Sequence, residues 1–172
     1  MLFACETEFS WLNMDINYKK STCIRIGSRC DKTPGNINTA AGHDLLWNTK
    51  IRYLGVCILR SNIFKCDFSD CKKSFYRSVN AVMGCVGATA SAEVIIQLVS
   101  SKWLPILLYG TESCPMNKSQ LKYFDFVFTR FMMKLFKTID NNVINECIMF
   151  FEISLPSVLI ARRKAKFCRS FV

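Results

Sequence analysis

A chain of 172 residues with 51% apolar content has the length and apolar surface for one core and too little for two large, independent domains. Twenty-three Lys and Arg against thirteen Asp and Glu give a formal charge of +10, which favours polyanionic partners. The longest unbroken apolar run, Trp103 to Tyr109, is far short of the roughly 20 residues a bilayer span requires, so a membrane partner is not expected.

The charge is uneven: −3 over residues 1–16, +8 over 17–77, −1 over 78–117 and +6 over 118–172. Two basic blocks therefore flank a nearly neutral, apolar middle. The start lacks a basic segment followed by a long apolar core and turns acidic at Glu6 and Glu8, so the chain reads as intracellular, cytoplasmic or nuclear. Its ten cysteines are irregularly spaced and read as reduced thiols. The tightest pairs, Cys66 with Cys71 and Cys23 with Cys30, lack the two-residue spacing of a zinc knuckle, and His43 is the single histidine, so no metal site is expected.

In chain order, Leu2, Phe3, Phe9 and Leu12 give a weak helical pattern that reads as entering the domain in mid-element. Residues 15–26 read as a loop carrying Lys19 and Lys20, followed by a short alternating strand over Cys23-Ile24-Arg25-Ile26. Pro34-Gly35-Asn36 marks residues 31–44 as an exposed turn or loop and a first hinge. Residues 51–58, rich in β-branched and aromatic side chains, predict one strand that pairs with residues 23–27, with Gly55 allowing a bulge or a close approach.

After Asp67 the period changes. Cys71, Phe75, Val79 and Val82 recur at three- and four-residue steps, which predicts an amphipathic helix with Asp67 or Ser69 as N-cap and Gly84 and Gly87 at its end. Lys72, Lys73 and Arg77 collect on its polar face, which is either solvated or a seat for a phosphate backbone. Ser91 caps a second helix through Leu104, kinked or stopped by Pro105. Asn117 and Gln120 form a capping box for a third, whose stripe runs Leu121, Phe124, Phe128, Phe131, Met132 and Leu135 and reads as core, not as a base-stacking platform. Helices over about 142–151 and 157–170 follow, separated by Leu155-Pro156-Ser157.

The sum is an α+β fold, mostly helical: a small antiparallel sheet within residues 1–65, then a bundle of four or five helices over residues 66–172. So small a sheet has an edge that calls for further strands beside it.

Three stretches, read together, resemble the reverse transcriptases of non-long-terminal-repeat retrotransposons of the jockey-like and chicken-repeat-like groups. Trp11 to Ser21 is similar to the block that follows the family's catalytic aspartates, where an asparagine precedes a lysine by three places, as Asn17 precedes Lys20. Ile51 to Val56 is similar to the primer-grip strand at the end of the palm, with Tyr53, Leu54 and Gly55 matching its core. Lys72 to Arg77, continuing to Leu107 to Glu112, is similar to the helical thumb or connection that follows.

The resemblance implies an RNA-directed DNA polymerase in which Asn17, Lys19 and Lys20 lie near the incoming nucleotide, Tyr53 to Gly55 seat the primer end, and Lys72, Lys73 and Arg77 face the duplex. The family's polymerase uses magnesium held by an aspartate pair and an upstream aspartate. No two aspartates adjoin in this sequence, and Asp15 and Asp31 are isolated. The expectation is an inactive piece of the enzyme, with no catalytic residue and no cofactor of its own. It would retain nonspecific affinity for RNA or DNA, and its missing partner would be the N-terminal part of the polymerase. Without that part, Lys19 and Lys20 also read as a solvated turn and Tyr53 to Gly55 as an ordinary half-buried strand. The alternative function is a helical protein-interaction module with no nucleic-acid role. Nothing else in the chain suggests another enzyme: there is no Gly-rich phosphate cradle and no nucleophile elbow.

Overall fold

Short β-branched and aromatic runs before Asp67 become strands, and the three- and four-residue apolar steps after it become helices, in a computed structural model that describes residues 2–32, 34–86 and 89–170. The fold is α+β and mostly helical. The chain divides into two compact units, Met1–Asp67 and Phe68–Val172.

In the first unit, α1 (Leu2–Trp11) is followed by β1 (Thr22–Cys23), β2 (Ile37–Asn38), β3 (Asp44–Trp47), β4 (Lys50–Tyr53), β5 (Val56–Leu59) and β6 (Lys65–Asp67). These strands form two three-stranded sheets, ordered β1-β3-β2 and β4-β5-β6. The predicted strand over residues 51–58 is in fact a hairpin. Leu54 (φ 46°) and Gly55 (φ 84°) both take left-handed backbone, the requirement of a two-residue primed turn, so the chain reverses where a continuous strand was expected. β4 consequently pairs antiparallel with β5, Ile51 opposite Ile58, instead of with residues 23–27. β1 finds its partner in β3, in parallel, with Cys23 opposite Trp47. The first sheet is therefore mixed, not antiparallel as predicted. A single parallel bridge, Ile26 to Ser61, links the 23–27 stretch to the segment between β5 and β6.

Residues 31–44 are more ordered than their Pro-Gly-Asn content suggests, because β2 pairs antiparallel with β3 across residues 39–43. The buried Thr39 closes that turn: its backbone N–H donates to the His43 carbonyl at 2.8 Å, and the His43 N–H donates to Thr39 Oγ1 at 3.0 Å. Arg25 and Arg60 are committed to structure. Arg25 donates to the carbonyls of Arg29 and Lys32, and Arg60 Nε donates to the Cys30 carbonyl, so the turn over residues 27–32 has its carbonyl groups satisfied by guanidinium donors. Lys50 and Asp67 pair at 2.6 Å between the two edge strands of the second sheet.

In the second unit, α2 (Ser69–Val86) begins where the sequence placed it but runs straight through Gly84; Gly87, the other expected terminator, lies outside the described residues. α3 (Ala92–Leu98) is capped by Ser91, whose Oγ accepts from the Val94 N–H. It passes through a π-helical turn over Val99–Trp103 into α4 (Leu104–Leu107). Pro105 explains the widened turn: it has no N–H to donate and its ring crowds the carbonyl four residues back, and the π turn, closed by Leu104 N to Val99 O, absorbs both without breaking the rod.

α5 (Lys118–Phe136) carries the predicted capping box, Gln120 N to Asn117 Oδ1 at 2.7 Å and Asn117 N to Gln120 Oε1 at 2.9 Å. Lys137 ends it in left-handed backbone. α6 (Asn141–Phe150) and α7 (Pro156–Arg169) complete the unit, with Asp140 capping the first and Pro156 opening the second. The Asp125 carboxylate on α5 accepts the Ser157 N–H at 2.8 Å, an anion at the positive end of α7 that fixes the two helices together.

Phe75, Phe124, Phe128, Leu107, Leu108 and Met132 are among the fully buried side chains of this unit. Phe75 meets Phe131, and Phe68 meets Phe124, both edge to face. Each such buried large apolar side chain contributes about 1.5–3 kcal/mol relative to an exposed one. Of the predicted stripe, Phe124, Phe128, Phe131 and Met132 are buried as core, while Leu121 and Leu135 at its ends are half-buried.

Candidate nucleic-acid interface

Asn17 builds the loop that presents Lys19 and Lys20. Its carbonyl accepts the N–H groups of Lys20 and Ser21 at 3.0 and 2.9 Å, and its Oδ1 accepts the Lys20 N–H at 3.2 Å, so the side chain reinforces the turn it begins. An asparagine three places before a lysine therefore has a local purpose: the turn holds the lysine backbone in place and leaves Lys19 and Lys20 exposed.

Tyr18, between Asn17 and Lys19, stacks on His43 with ring centroids 3.9 Å apart and planes 19° from parallel. Lys19 Nζ stands 5.9 Å from the same tyrosine ring. These groups, with Asn17, Asp15, Glu6 and Phe9, line a cleft of about 660 Å³. Glu6 is occupied there, accepting the Ala40 N–H at 2.8 Å. A flat ring pair beside two exposed ammonium groups is the combination single-stranded nucleic acid uses, a face for a base and charge for its phosphate. The ring pair has no signature in the sequence, because Tyr18 and His43 are brought together by the β2–β3 turn and nothing local links them.

Tyr53, Leu54 and Gly55 sit at the tip of the β4–β5 hairpin, not in a half-buried strand as one reading had it. Tyr53 is 63% and Leu54 74% exposed. A primed two-residue turn is best served by Asn-Gly or Asp-Gly; a leucine in left-handed backbone costs about 1–2 kcal/mol and here leaves a large apolar side chain largely exposed.

The three cations of α2 divide. Lys73 and Arg77 are exposed on one helical row. Lys72 is half-buried, its Nζ 3.6 Å from the centroid of the Tyr123 ring and 5.3 Å from that of Phe124. It is held against the aromatic face of α5 and does not face outward with the other two, a correction to the single basic face read from the sequence.

Tyr76, on the neighbouring row, has its phenol pKa raised above the ordinary 10.0, by burial first and by Tyr123 second, with Arg130 pulling the other way. Among the described residues no group of three or more His, Cys, Asp or Glu side chains is arranged to hold a metal ion, and no helix is long and apolar enough to cross a membrane. Comparison of the chain with known protein families, curated proteins and solved structures returns no match in any of the three.

Proposed function

We propose that the chain is the palm end and thumb or connection region of a non-long-terminal-repeat retrotransposon reverse transcriptase, and that it grips nucleic acid through its phosphates without performing phosphoryl transfer. The ordered resemblance of three stretches supports the assignment to that class. The observation that carries the binding role is Leu54, strained at φ 46° and exposed beside Tyr53 at a hairpin tip, where the needs of the turn alone would select a polar residue. The exposed Lys19 and Lys20 beside the stacked Tyr18 and His43 add the charge and the flat face that such a grip requires.

The test is a mobility-shift titration with a template–primer duplex. The expected result is a salt-sensitive complex, weakened about tenfold by the double change Lys19→Gln, Lys20→Gln and also weakened by Leu54→Asn. Affinity indifferent to salt and to both changes would refute the proposal. Primer extension with template, nucleotides and magnesium is expected to stay at background, because two-metal transfer needs converging carboxylates.

A second reading, a protein-interaction module, is favoured by one feature: α6 exposes Met149 and Phe150 side by side at 76% and 79%. A stoichiometric protein complex that survives nuclease treatment on size-exclusion chromatography would select it over the first.

A further inference from the structure

Arg130 and Lys134 stand four apart on one face of α5, and Lys137, the left-handed residue that ends the helix, follows them. Tyr76 and Asn80 on α2 stand four apart in the same way. The two rows, with Thr138, line a groove of about 390 Å³. Lys134 Nζ is anchored at its rim, donating to Asn80 Oδ1 at 2.7 Å. No carboxylate lines the groove, and the nearest acid along the chain, Asp140, is engaged in capping α6 through the Asn142 N–H at 2.8 Å. Among the described residues none of the three cations has an ion-pair partner.

We propose that this groove between α2 and α5 is a phosphodiester-binding site. The inference deepens the nucleic-acid reading above and rests on it, but it concerns different residues, all in the second unit. Concavity distinguishes the groove from the merely solvated lysines of α7. Three cations line one space, alongside the apolar Met133 and Ile139, together with the Tyr76 and Thr138 hydroxyls and the Asn80 amide as neutral donors, the mixture that phosphate oxygens accept from. The Tyr76 phenol, an ordinary donor at neutral pH, is held protonated further into the alkaline range by burial. The carbonyl end of α5 opposes an anion with about half a negative charge, against three full positive ones. Arg77 and Lys73, exposed on the adjacent row of α2, extend the positive surface so that a strand can continue past the groove.

The experiment compares two charge-matched triple variants of the full chain by fluorescence anisotropy with a labelled single-stranded oligonucleotide. One neutralises the groove (Arg130→Gln, Lys134→Gln, Lys137→Gln), and the other neutralises exposed cations of α7 (Lys164→Gln, Lys166→Gln, Arg169→Gln). The groove triple is expected to weaken binding about tenfold or more and to flatten the salt dependence by about 2, at roughly 0.7 per lost phosphate contact; the α7 triple is expected to change affinity less than about threefold.

Equal losses from both triples would overturn the groove while leaving the nucleic-acid reading intact. A wild-type chain that binds no oligonucleotide would overturn both. Tyr76→Phe, which keeps the ring and removes the hydroxyl, guards against a folding artefact: a two- to threefold loss with an unchanged melting curve supports the site, and no loss counts against the role of Tyr76 in it. Adding inorganic phosphate at matched ionic strength separates the sources: weak competition fits a site for the polymer backbone, and full displacement at low millimolar phosphate would make it a free-anion site instead.

Discussion

Tyr76 shows how a single residue ties packing to chemistry. Its phenol pKa is raised in the folded chain, so above about pH 10 the unfolded chain sheds a proton that the folded chain retains. Stability from this source is therefore full below pH 10 and falls as the pH climbs through the folded value. Urea denaturation at pH 9 and at pH 10.5 is expected to show a decline that Tyr76→Phe reduces; an identical decline in the variant would remove Tyr76 as its cause. Phe128, fully buried and 5.9 Å from Phe131, is expected to cost about 3–5 kcal/mol when replaced by alanine, read from the same denaturation curves. Asn117→Ala, which opens the capping box of α5, should cost about 1 kcal/mol.

Among the elements, the helices were legible in the sequence and the strands were not, and the residues explain why. α5 announces itself locally, with Asn117 and Gln120 at its start and an apolar stripe that repeats at helical spacing over five turns. The strands are two to four residues long, too short for an alternation to register, and what organises them is turn chemistry. Leu54-Gly55 hid the β4–β5 reversal because leucine is a poor advertisement for a primed turn.

That mismatch yields a prediction with opposite signs. Leu54→Asn should raise stability by up to about 1 kcal/mol while lowering affinity for template–primer duplex, and a variant that gained both or lost both would deny that strain at the tip is kept for binding. The π turn is a milder case: Pro105 signalled a disturbance, but whether the rod would stop or bulge depended on Val99, Trp103 and Leu104 all finding buried places. The candidate interface was legible in part for the same reason. Lysines at Asn-x-x-Lys spacing can be seen in a sequence, whereas the Tyr18–His43 stack and the α2–α5 groove require knowing which elements adjoin.

For the molecule as a whole, two unequal properties compete. The formal charge of +10 promotes association with polyanions and keeps copies apart, while large exposed apolar side chains, among them Trp11 at 83% on a helix with no buried residue, promote self-association. Light scattering is expected to report particles that grow with salt and protein concentration, as screening removes the repulsion; a monodisperse monomer at high salt would show that the apolar faces are harmless.

Whether the chain holds nucleic acid by its phosphates, as proposed, is open to direct measurement. Anisotropy with a labelled single strand across about 50 to 300 mM salt tests it most directly. Three to six phosphate contacts at about 0.7 each predict that the logarithm of affinity falls with the logarithm of salt with a slope between about −2 and −4, whatever the base sequence. A slope near zero, or no binding at the lowest salt, would contradict it.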